Sequence, residues 1–135
     1  MSIEIDHLGI AVRSIDESLR FYQQLLGMEV TGRETMPAEQ VNVAMLPAGL
    51  GSNAPRIELL EAAGDTSTIA RFIEKRGPGL HHIALRVDDL ERTANRLSAA
   101  GARLLNEPRK GAEGHTYVFV HPASTGGVLL ELIQK

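Results

Sequence analysis

An internal repeat constrains this chain of 135 residues more than any other feature of its sequence. The segment His7-Leu8-Gly9-Ile10-Ala11-Val12 returns 75 positions later as His82-Ile83-Ala84-Leu85-Arg86-Val87. Apolar residues alternate with small or polar ones in both copies, which predicts strands packed on a core by one face. The first His of each copy falls on the opposite face, beside Gly9 or Ala84, where small side chains leave room for a bound object. The repeat therefore predicts one module used twice.

A helix signature follows each repeated strand. Ser14-Ile15-Asp16-Glu17 and Asp88-Asp89-Leu90-Glu91 both read as capping boxes, in which a side-chain acceptor is followed three residues later by Glu. Helically spaced apolar residues then continue to a stop glycine, Gly27 in the first half and Gly101 in the second. Each half is therefore expected to continue from its strand into one helix.

Turn-forming residues separate three further strand candidates in each half. These candidates cover about residues 28–35, 40–46 and 56–61 in the first half, and about residues 103–105, 115–121 and 128–133 in the second. A linking helix is expected over about residues 66–76, ended by Gly77-Pro78-Gly79. The predicted fold is α+β, a single domain of residues 1–135 with tandem βαβββ modules at about 1–64 and 79–135.

Composition excludes several classes of function. The formal net charge of −3 disfavours nucleic acid and anionic membrane surfaces as partners. The sequence contains no cysteine, so any metal must be held by nitrogen and oxygen ligands. Acids at Glu4 and Asp6 stand where a signal peptide needs a basic region, and no apolar run approaches the length of a membrane span. A cytoplasmic protein without membrane partners is expected.

Two carboxylates repeat along with the two histidines. Glu58 and Glu131 interrupt otherwise apolar strand runs, Arg56-Ile57-Glu58-Leu59-Leu60 and Leu129-Leu130-Glu131-Leu132-Ile133. A buried carboxylate is usually paired, protonated or bound to a metal, because burying it alone is costly. Two imidazoles and two carboxylates suit a borderline divalent ion such as Co, Mn, Ni, Zn or Fe. The alternative is that both His are ordinary core residues and both Glu face solvent.

Three more residues are candidates for binding a substrate. Lys110 lies in the small basic cluster Arg109-Lys110-Gly111, which could meet a phosphate, although a solvated loop is the favoured interpretation. His115 follows Gly114 in a glycine-rich loop and is either a substrate contact or a plain loop residue. Gln40, at the start of the third strand candidate, completes this set.

Four segments resemble those of the methylmalonyl-CoA epimerases, enzymes of the vicinal-oxygen-chelate, or glyoxalase-like, superfamily. The resemblance covers nearly the whole chain, and its most specific parts lie in the second half. The segments are Asp6-His7-Leu8-Gly9-Ile10-Ala11-Val12, Ile57-Glu58-Leu59-Leu60-Glu61, Gly79-Leu80-His81-His82-Ile83-Ala84 and His121-Pro122-Ala123-Ser124-Thr125-Gly126-Gly127-Val128-Leu129-Leu130-Glu131-Leu132.

The resemblance implies a cupped eight-stranded mixed sheet around one divalent metal ion, and commonly a homodimer. It implies His7, Glu58, His82 and Glu131 as metal ligands, with Glu58 standing where some relatives have Gln. It also implies an acyl-CoA partner and interconversion of (R)- and (S)-methylmalonyl-CoA. Proton abstraction α to a thioester, through a metal-stabilised enolate, makes Glu131 the first candidate for the catalytic base.

One departure from the relatives concerns the second base. Some epimerases carry an additional Glu in the third strand of module one, but residues 40–45 here contain no acid. Glu39 is the nearest acid, and it shares the candidacy for the opposite face of the substrate with His115 and a metal-bound water.

Three other functions remain open at this point. A glyoxalase I isomerase shares the type of site but not the second-half segments. A ring-cleaving dioxygenase uses two His and one carboxylate around iron, and a fourth protein ligand argues against it. A non-enzymatic module that sequesters small molecules often lacks the metal ligands, whereas all four positions are filled here.

Overall fold

The computed structural model describes residues 2–111 and 114–135 of the chain. Its eight strands form a mixed sheet, and the element order shows two βαβββ modules joined by a helix, which confirms the predicted α+β class. In chain order the elements are β1 (Glu4–Val12), α1 (Ile15–Leu19), β2 (Gly32–Met36), β3 (Val41–Pro47), β4 (Arg56–Ala62), α2 (Thr68–Arg76), β5 (Gly79–Arg86), α3 (Leu90–Ala99), β6 (Arg109–Lys110), β7 (Thr116–Val120) and β8 (Leu130–Gln134).

The chain divides into two compact units. The first unit is His7–His81, and the second joins the start of the chain, up to Asp6, to His82–Lys135. Strands follow the order β2-β3-β4-β1 in the first unit and β6-β7-β8-β5 in the second. The first and last strands of each module, β1 with β4 and β5 with β8, pair in parallel, and the other pairs within each module are antiparallel. The two modules therefore have the same strand order and the same strand directions.

The strands of the first unit bury apolar side chains on both faces. On one face, α1 packs through Ile15 and Leu19 in a cluster that includes Leu46 and Leu59. On the other face, α2 packs through Ile69 in a second cluster, whose strand residues are Ala11, Val41, Val43 and Leu60. Because successive side chains of a strand point to opposite faces, His7 and Glu58 share the face of the second cluster.

The second unit has one such cluster among its described residues. Leu90 of α3 packs with Val87, Val118, Val120 and Leu132, all of which are buried. The intervening side chains of β7 and β8 point to the other face of the strands, away from α3. Tyr117, Phe119, Glu131 and Ile133 are so placed, and His82 of β5 shares their face by the same alternation.

Both modules use their last strand to satisfy the first turn of their helix. The Ile15 backbone N–H donates to Glu61 Oε1 at 3.0 Å, and the Leu90 N–H donates to Gln134 Oε1 at 2.7 Å. The first N–H groups of a helix have no partner within the helix, so each strand side chain caps one of them. The N-terminus of each helix is therefore hydrogen-bonded to the strand that carries the repeated Glu.

The cap residues and the helix ends agree largely with the sequence. Ser14 Oγ accepts from the Glu17 N–H at 3.2 Å, as a capping box requires. In the second module the cap is Asp89 rather than Asp88, because Asp89 Oδ1 accepts from the Arg92 N–H at 3.0 Å. After Leu19 the first helix continues as the π-helical segment Arg20–Leu25 before the chain reaches Gly27.

Two strand predictions were wrong in position. Strand β2 begins at Gly32, and the four preceding residues are not in a strand. The predicted strand at 103–105 is reduced to an isolated bridge at Leu104, and the strand of this edge is β6. Beyond this bridge, Asn106 Oδ1 accepts from the Phe119 backbone N–H at 2.8 Å and takes the place of a backbone acceptor. Among the described residues, no helix is long and apolar enough to cross a membrane.

Candidate metal centre

In the first unit, β1 and β4 bring one His–Glu pair together. His7 is 5% exposed, and its Nδ1 lies 3.4 Å from Oε2 of Glu58. The parallel register sets Gly9 beside Glu58, so no side chain of β1 crowds the carboxylate at that position. The alternative of a solvent-facing Glu58 fails, since its side chain is only 13% exposed.

In the second unit, β5 and β8 form the equivalent pair. His82 is 6% exposed, and its Nε2 lies 3.3 Å from Oε1 of Glu131. Here Ala84 lies beside Glu131 in the parallel register, which is the place that Gly9 takes beside Glu58. Phe119, opposite Glu131 on β7, sets its ring edge-on to the His82 ring, with the centroids 5.8 Å apart.

The separations within the two pairs fit a divalent ion. Nitrogen and oxygen ligands about 2.1 Å from a common ion are roughly 3.0 Å apart at a right angle and roughly 3.4 Å apart at the tetrahedral angle. The observed separations are 3.4 Å for the His7–Glu58 pair and 3.3 Å for the His82–Glu131 pair. Each pair thus presents a nitrogen and an oxygen donor at the spacing of two ligands of one ion.

Arg56 is a member of this site that the sequence reasoning missed. Its Nη2 donates to Oε2 of Glu58 at 2.8 Å, the same oxygen that lies closest to His7 Nδ1. Arg56 precedes Glu58 by two residues on β4, so the two side chains share a face, and His7 is its register partner on β1. The available signal was this spacing of two, a basic residue beside a half-buried carboxylate within a strand.

The face that carries Glu58 has no second acid on β3. In the antiparallel register Met45 lies opposite Glu58, and Val43 lies opposite Leu60. Asn42 points to the other face, where its Nδ2 donates to Glu61 Oε2 at 3.0 Å. The expected absence of a base from this strand is thus explained residue by residue, within the part of the chain that is described.

The three substrate-binding candidates lie in loops and on an edge strand. Gln40 accepts from Thr66 Oγ1 at 2.8 Å, so its side-chain oxygen has a structural partner. Lys110 is exposed on the short strand β6. His115 is half-buried, and its backbone oxygen accepts from the Gly111 N–H at 2.7 Å. No contact tests a role in substrate binding for any of the three, and that role remains a prediction.

A cleft of about 780 Å³ lies at the α3 side of the second unit. Its lining includes Glu91 and Asn95 of α3, Leu105 of the following loop, and Arg109 and Lys110 of β6. His82 and Glu131 are not part of this lining, since they occupy the opposite face of the strands. The cleft is therefore separate from the His82–Glu131 pair. The basic residues Arg109 and Lys110 form part of its lining.

The fold and the paired sites define a class of protein: tandem βαβββ modules, each of which sets a buried His against a Glu on the neighbouring parallel strand. The family model of the Glyoxalase/Bleomycin resistance protein/Dioxygenase superfamily matches residues 6–119. The chain belongs to this superfamily.

Three comparisons show that the chain is similar to acyl-CoA epimerases within this superfamily. An ethylmalonyl-CoA/methylmalonyl-CoA epimerase of Cereibacter sphaeroides is 37% identical over 96% of this chain and 96% of its own length. A variant of Streptomyces coelicolor methylmalonyl-CoA epimerase, in complex with 2-nitronate-propionyl-CoA, has a TM-score of 0.89 at 36% identity, over 97% of this chain and 96% of that one. A methylmalonyl-CoA epimerase in complex with methylmalonyl-CoA and NH4+ has a TM-score of 0.91 at 35% identity, over 100% of this chain and 96% of that one.

Proposed function

We propose that this chain is an enzyme that interconverts (R)- and (S)-methylmalonyl-CoA. The observation that carries the proposal is the pair of equivalent His–Glu contacts, one in each module, at 3.4 and 3.3 Å. The relatives named for this reaction match almost the full length of the chain, which supports the epimerase over other activities of the superfamily.

The proposed metal ligands are His7, Glu58, His82 and Glu131, sharing one divalent ion. His7, His82 and Glu131 offer the atom types that could hold a metal ion, and both His are buried. Imidazole nitrogen and carboxylate oxygen favour Co, Mn, Ni, Zn or Fe over Ca or Mg. The ion, when bound, supplies Lewis-acid stabilisation of the enolate oxygen.

Glu131 is the proposed base. The α-carbon of the substrate stands between a thioester and a carboxylate, so its proton is only moderately acidic, and a carboxylate held close to it is a competent acceptor. His82 Nε2 lies 3.3 Å from Oε1 of Glu131, so the proposed base stands directly beside a proposed metal ligand. Because the product has the opposite configuration, the proton returns from the other face, for which His115 and Glu39 are the proposed protein groups.

The remaining proposals concern binding and assembly. Gln40, Lys110 and His115 are proposed contacts of the acyl-CoA, and Lys110 suits its phosphates because an ammonium group is a good partner of an anion. We propose a homodimer of single-domain subunits located in the cytoplasm. The sedimentation velocity of the purified chain checks the first part of this statement.

The deciding experiment is solvent exchange at the α-carbon of methylmalonyl-CoA. In deuterium oxide with Co²⁺ or Mn²⁺, the protein is expected to incorporate deuterium at that carbon and to convert either enantiomer to the mixture. Mass spectrometry follows the label, and a chelator-treated sample without added ion is the control.

The failures of this experiment are informative in different ways. Absence of exchange with every divalent ion tested would overturn the reaction. Isomerisation of a glutathione hemithioacetal in the same samples would favour the glyoxalase I activity. Binding of small molecules without turnover, by protein that retains no metal after mild purification, would favour a sequestering module.

A further inference from the structure

One carboxylate oxygen in the first unit serves two partners. Oε2 of Glu58 accepts from Arg56 Nη2 at 2.8 Å and lies 3.4 Å from His7 Nδ1. The side chains of Arg56 and Glu58 are only 23% and 13% exposed, so solvent screens this ion pair less than a surface pair. The positive charge of Arg56 is thus held on the same Glu58 oxygen that lies 3.4 Å from His7 Nδ1.

The second module has no basic residue at the matching position. Glu131 corresponds to Glu58, so the residue two positions earlier, Leu129, corresponds to Arg56. The two candidate carboxylate ligands therefore differ in the residue two positions earlier, although each has a His partner and a small residue, Gly9 or Ala84, beside it. The Arg56–Glu58 pair has no net charge, and in this respect it equals two neutral residues at the same positions.

We propose that Arg56 is a positioning residue that offsets the charge of Glu58, so that Glu58 acts on the bound metal much as an uncharged oxygen ligand. The proposal rests on the metal site of the proposed function and deepens it. Its physical basis is that a cation near the metal weakens the binding of the divalent ion and leaves it a stronger Lewis acid. The proposal concerns Glu58 alone and leaves the assigned role of Glu131 in proton removal unchanged.

The test compares metal affinities, which can be measured without substrate. Wild-type protein, Arg56→Leu, Arg56→Lys, Glu58→Gln and the double variant Arg56→Leu/Glu58→Gln are titrated with Mn²⁺ and Co²⁺. Isothermal titration calorimetry at one pH and one salt concentration gives each Kd. Leu reproduces the residue that the second module carries, and Lys keeps the charge while it changes the shape.

The expected result is a pattern of opposite shifts. Arg56→Leu tightens metal binding about tenfold, because the full charge of Glu58 becomes available, and Glu58→Gln weakens binding by a similar factor. The double variant returns to within about threefold of the wild type, since it removes one charge of each sign. Arg56→Lys stays near the wild-type Kd, because an ammonium group replaces the guanidinium.

A matched control separates this effect from a general change of charge. Arg33→Leu removes a cation of the same unit whose partner is the exposed Asp16, at 2.9 Å. Its metal Kd is expected to remain within about twofold of the wild type, because exposed charges are strongly screened.

The outcomes against the proposal are distinct from failure of the function. If Arg56→Leu binds metal no more tightly than the wild type, or if the double variant fails to return, Arg56 does not offset Glu58. If the wild-type protein nevertheless binds metal and exchanges the α-proton, the proposed function still holds. Wild-type protein that binds no divalent ion overturns both.

Discussion

The two modules share a backbone plan and differ in the side chains placed on it. In each, a parallel strand pair sets a buried His near a Glu, and a small residue, Gly9 or Ala84, lies beside that Glu. The side chains around the two Glu differ. Met45 lies opposite Glu58, whereas Phe119 lies opposite Glu131.

The same comparison extends to the neighbours of these residues. Val43 lies opposite Leu60 in the first module, and Tyr117 lies opposite Ile133 in the second, at the matching place. Arg56 likewise matches Leu129. The first module therefore surrounds its Glu with aliphatic side chains and one arginine, and the second surrounds its Glu with aromatic rings. The residues that match between the modules are the proposed metal ligands. The residues that differ lie around the two Glu and would make these two ligands chemically different.

The proposed difference between Glu58 and Glu131 is tested by replacing each of them with Gln, and this gives the largest expected effect. We expect Glu131→Gln to lower kcat by about 10³-fold, since the amide cannot accept the α-proton. We expect Glu58→Gln to lower kcat by less than about tenfold at saturating metal, because an oxygen ligand is kept and Arg56 already offsets the charge. Initial rates of epimerisation, with bound metal measured in each variant, provide the comparison.

The metal content decides how that result is interpreted. A Glu131→Gln variant with full metal and full turnover would remove Glu131 from the role of base. Equal large losses in the two variants would show instead that both carboxylates act alike, and the proposed asymmetry would then be wrong.

The repeat made much of this architecture predictable. Alternation around His7 and His82, followed by capping residues and stop glycines, was sufficient to predict two βαβββ modules and the linking helix, and these are confirmed. The repetition of the two His and the two Glu was also visible, but the contact of each His with the Glu of its own module was not predicted.

Other features depend on contacts that a one-dimensional pattern does not contain. At the edge of the second module, the Asn106 side chain accepts from the Phe119 backbone N–H, between the bridge at Leu104 and strand β6. The Arg56–Glu58 ion pair depends on which way two long side chains turn within one strand face. The helix caps by Glu61 and Gln134 join residues 46 and 44 positions apart along the chain, beyond the range of local cap signals.

The next effect concerns the residue before each repeated His. Asp6 is fully buried, and its Oδ1 contacts Arg86 Nη2 at 2.9 Å and Lys135 Nζ at 2.8 Å. Asp6→Asn should lower the free energy of unfolding by about 3 kcal/mol, since it removes the buried carboxylate that Lys135 and Arg86 share and leaves Arg86 only the exposed Glu4. The equivalent residue, His81, packs against Phe72 with ring centroids 5.0 Å apart, and His81→Ala should cost only about 1 kcal/mol.

Urea denaturation at neutral pH measures both changes. The two variants should unfold with m-values close to that of the wild type, so that the difference lies in the midpoint. A cost for Asp6→Asn no larger than that for His81→Ala would mean that the ion pairs of Asp6 contribute little net stability.

The smallest effect compares the two strand residues that cap the helices. Glu61→Ala should lower the free energy of unfolding by about 2 kcal/mol. The substitution removes the charged carboxylate that accepts hydrogen bonds from the Ile15 backbone N–H and from the Asn42 side-chain amide. Gln134→Ala should cost about 1 kcal/mol, since a single neutral hydrogen bond, to the Leu90 N–H, is lost. Urea midpoints again provide the measurement.

Glu61→Gln is the variant that sharpens this last comparison, since it gives the first module the residue of the second. An amide oxygen can still accept from the Ile15 N–H, so the expected cost is below about 1 kcal/mol, with part of the loss due to the missing charge at a helix N-terminus. If Glu61→Gln were as damaging as Glu61→Ala, the carboxylate charge rather than the hydrogen bond would be what the first module needs there. The two caps would then be alike in geometry and different in their physical basis, as we propose for the two candidate metal ligands three residues earlier on the same strands.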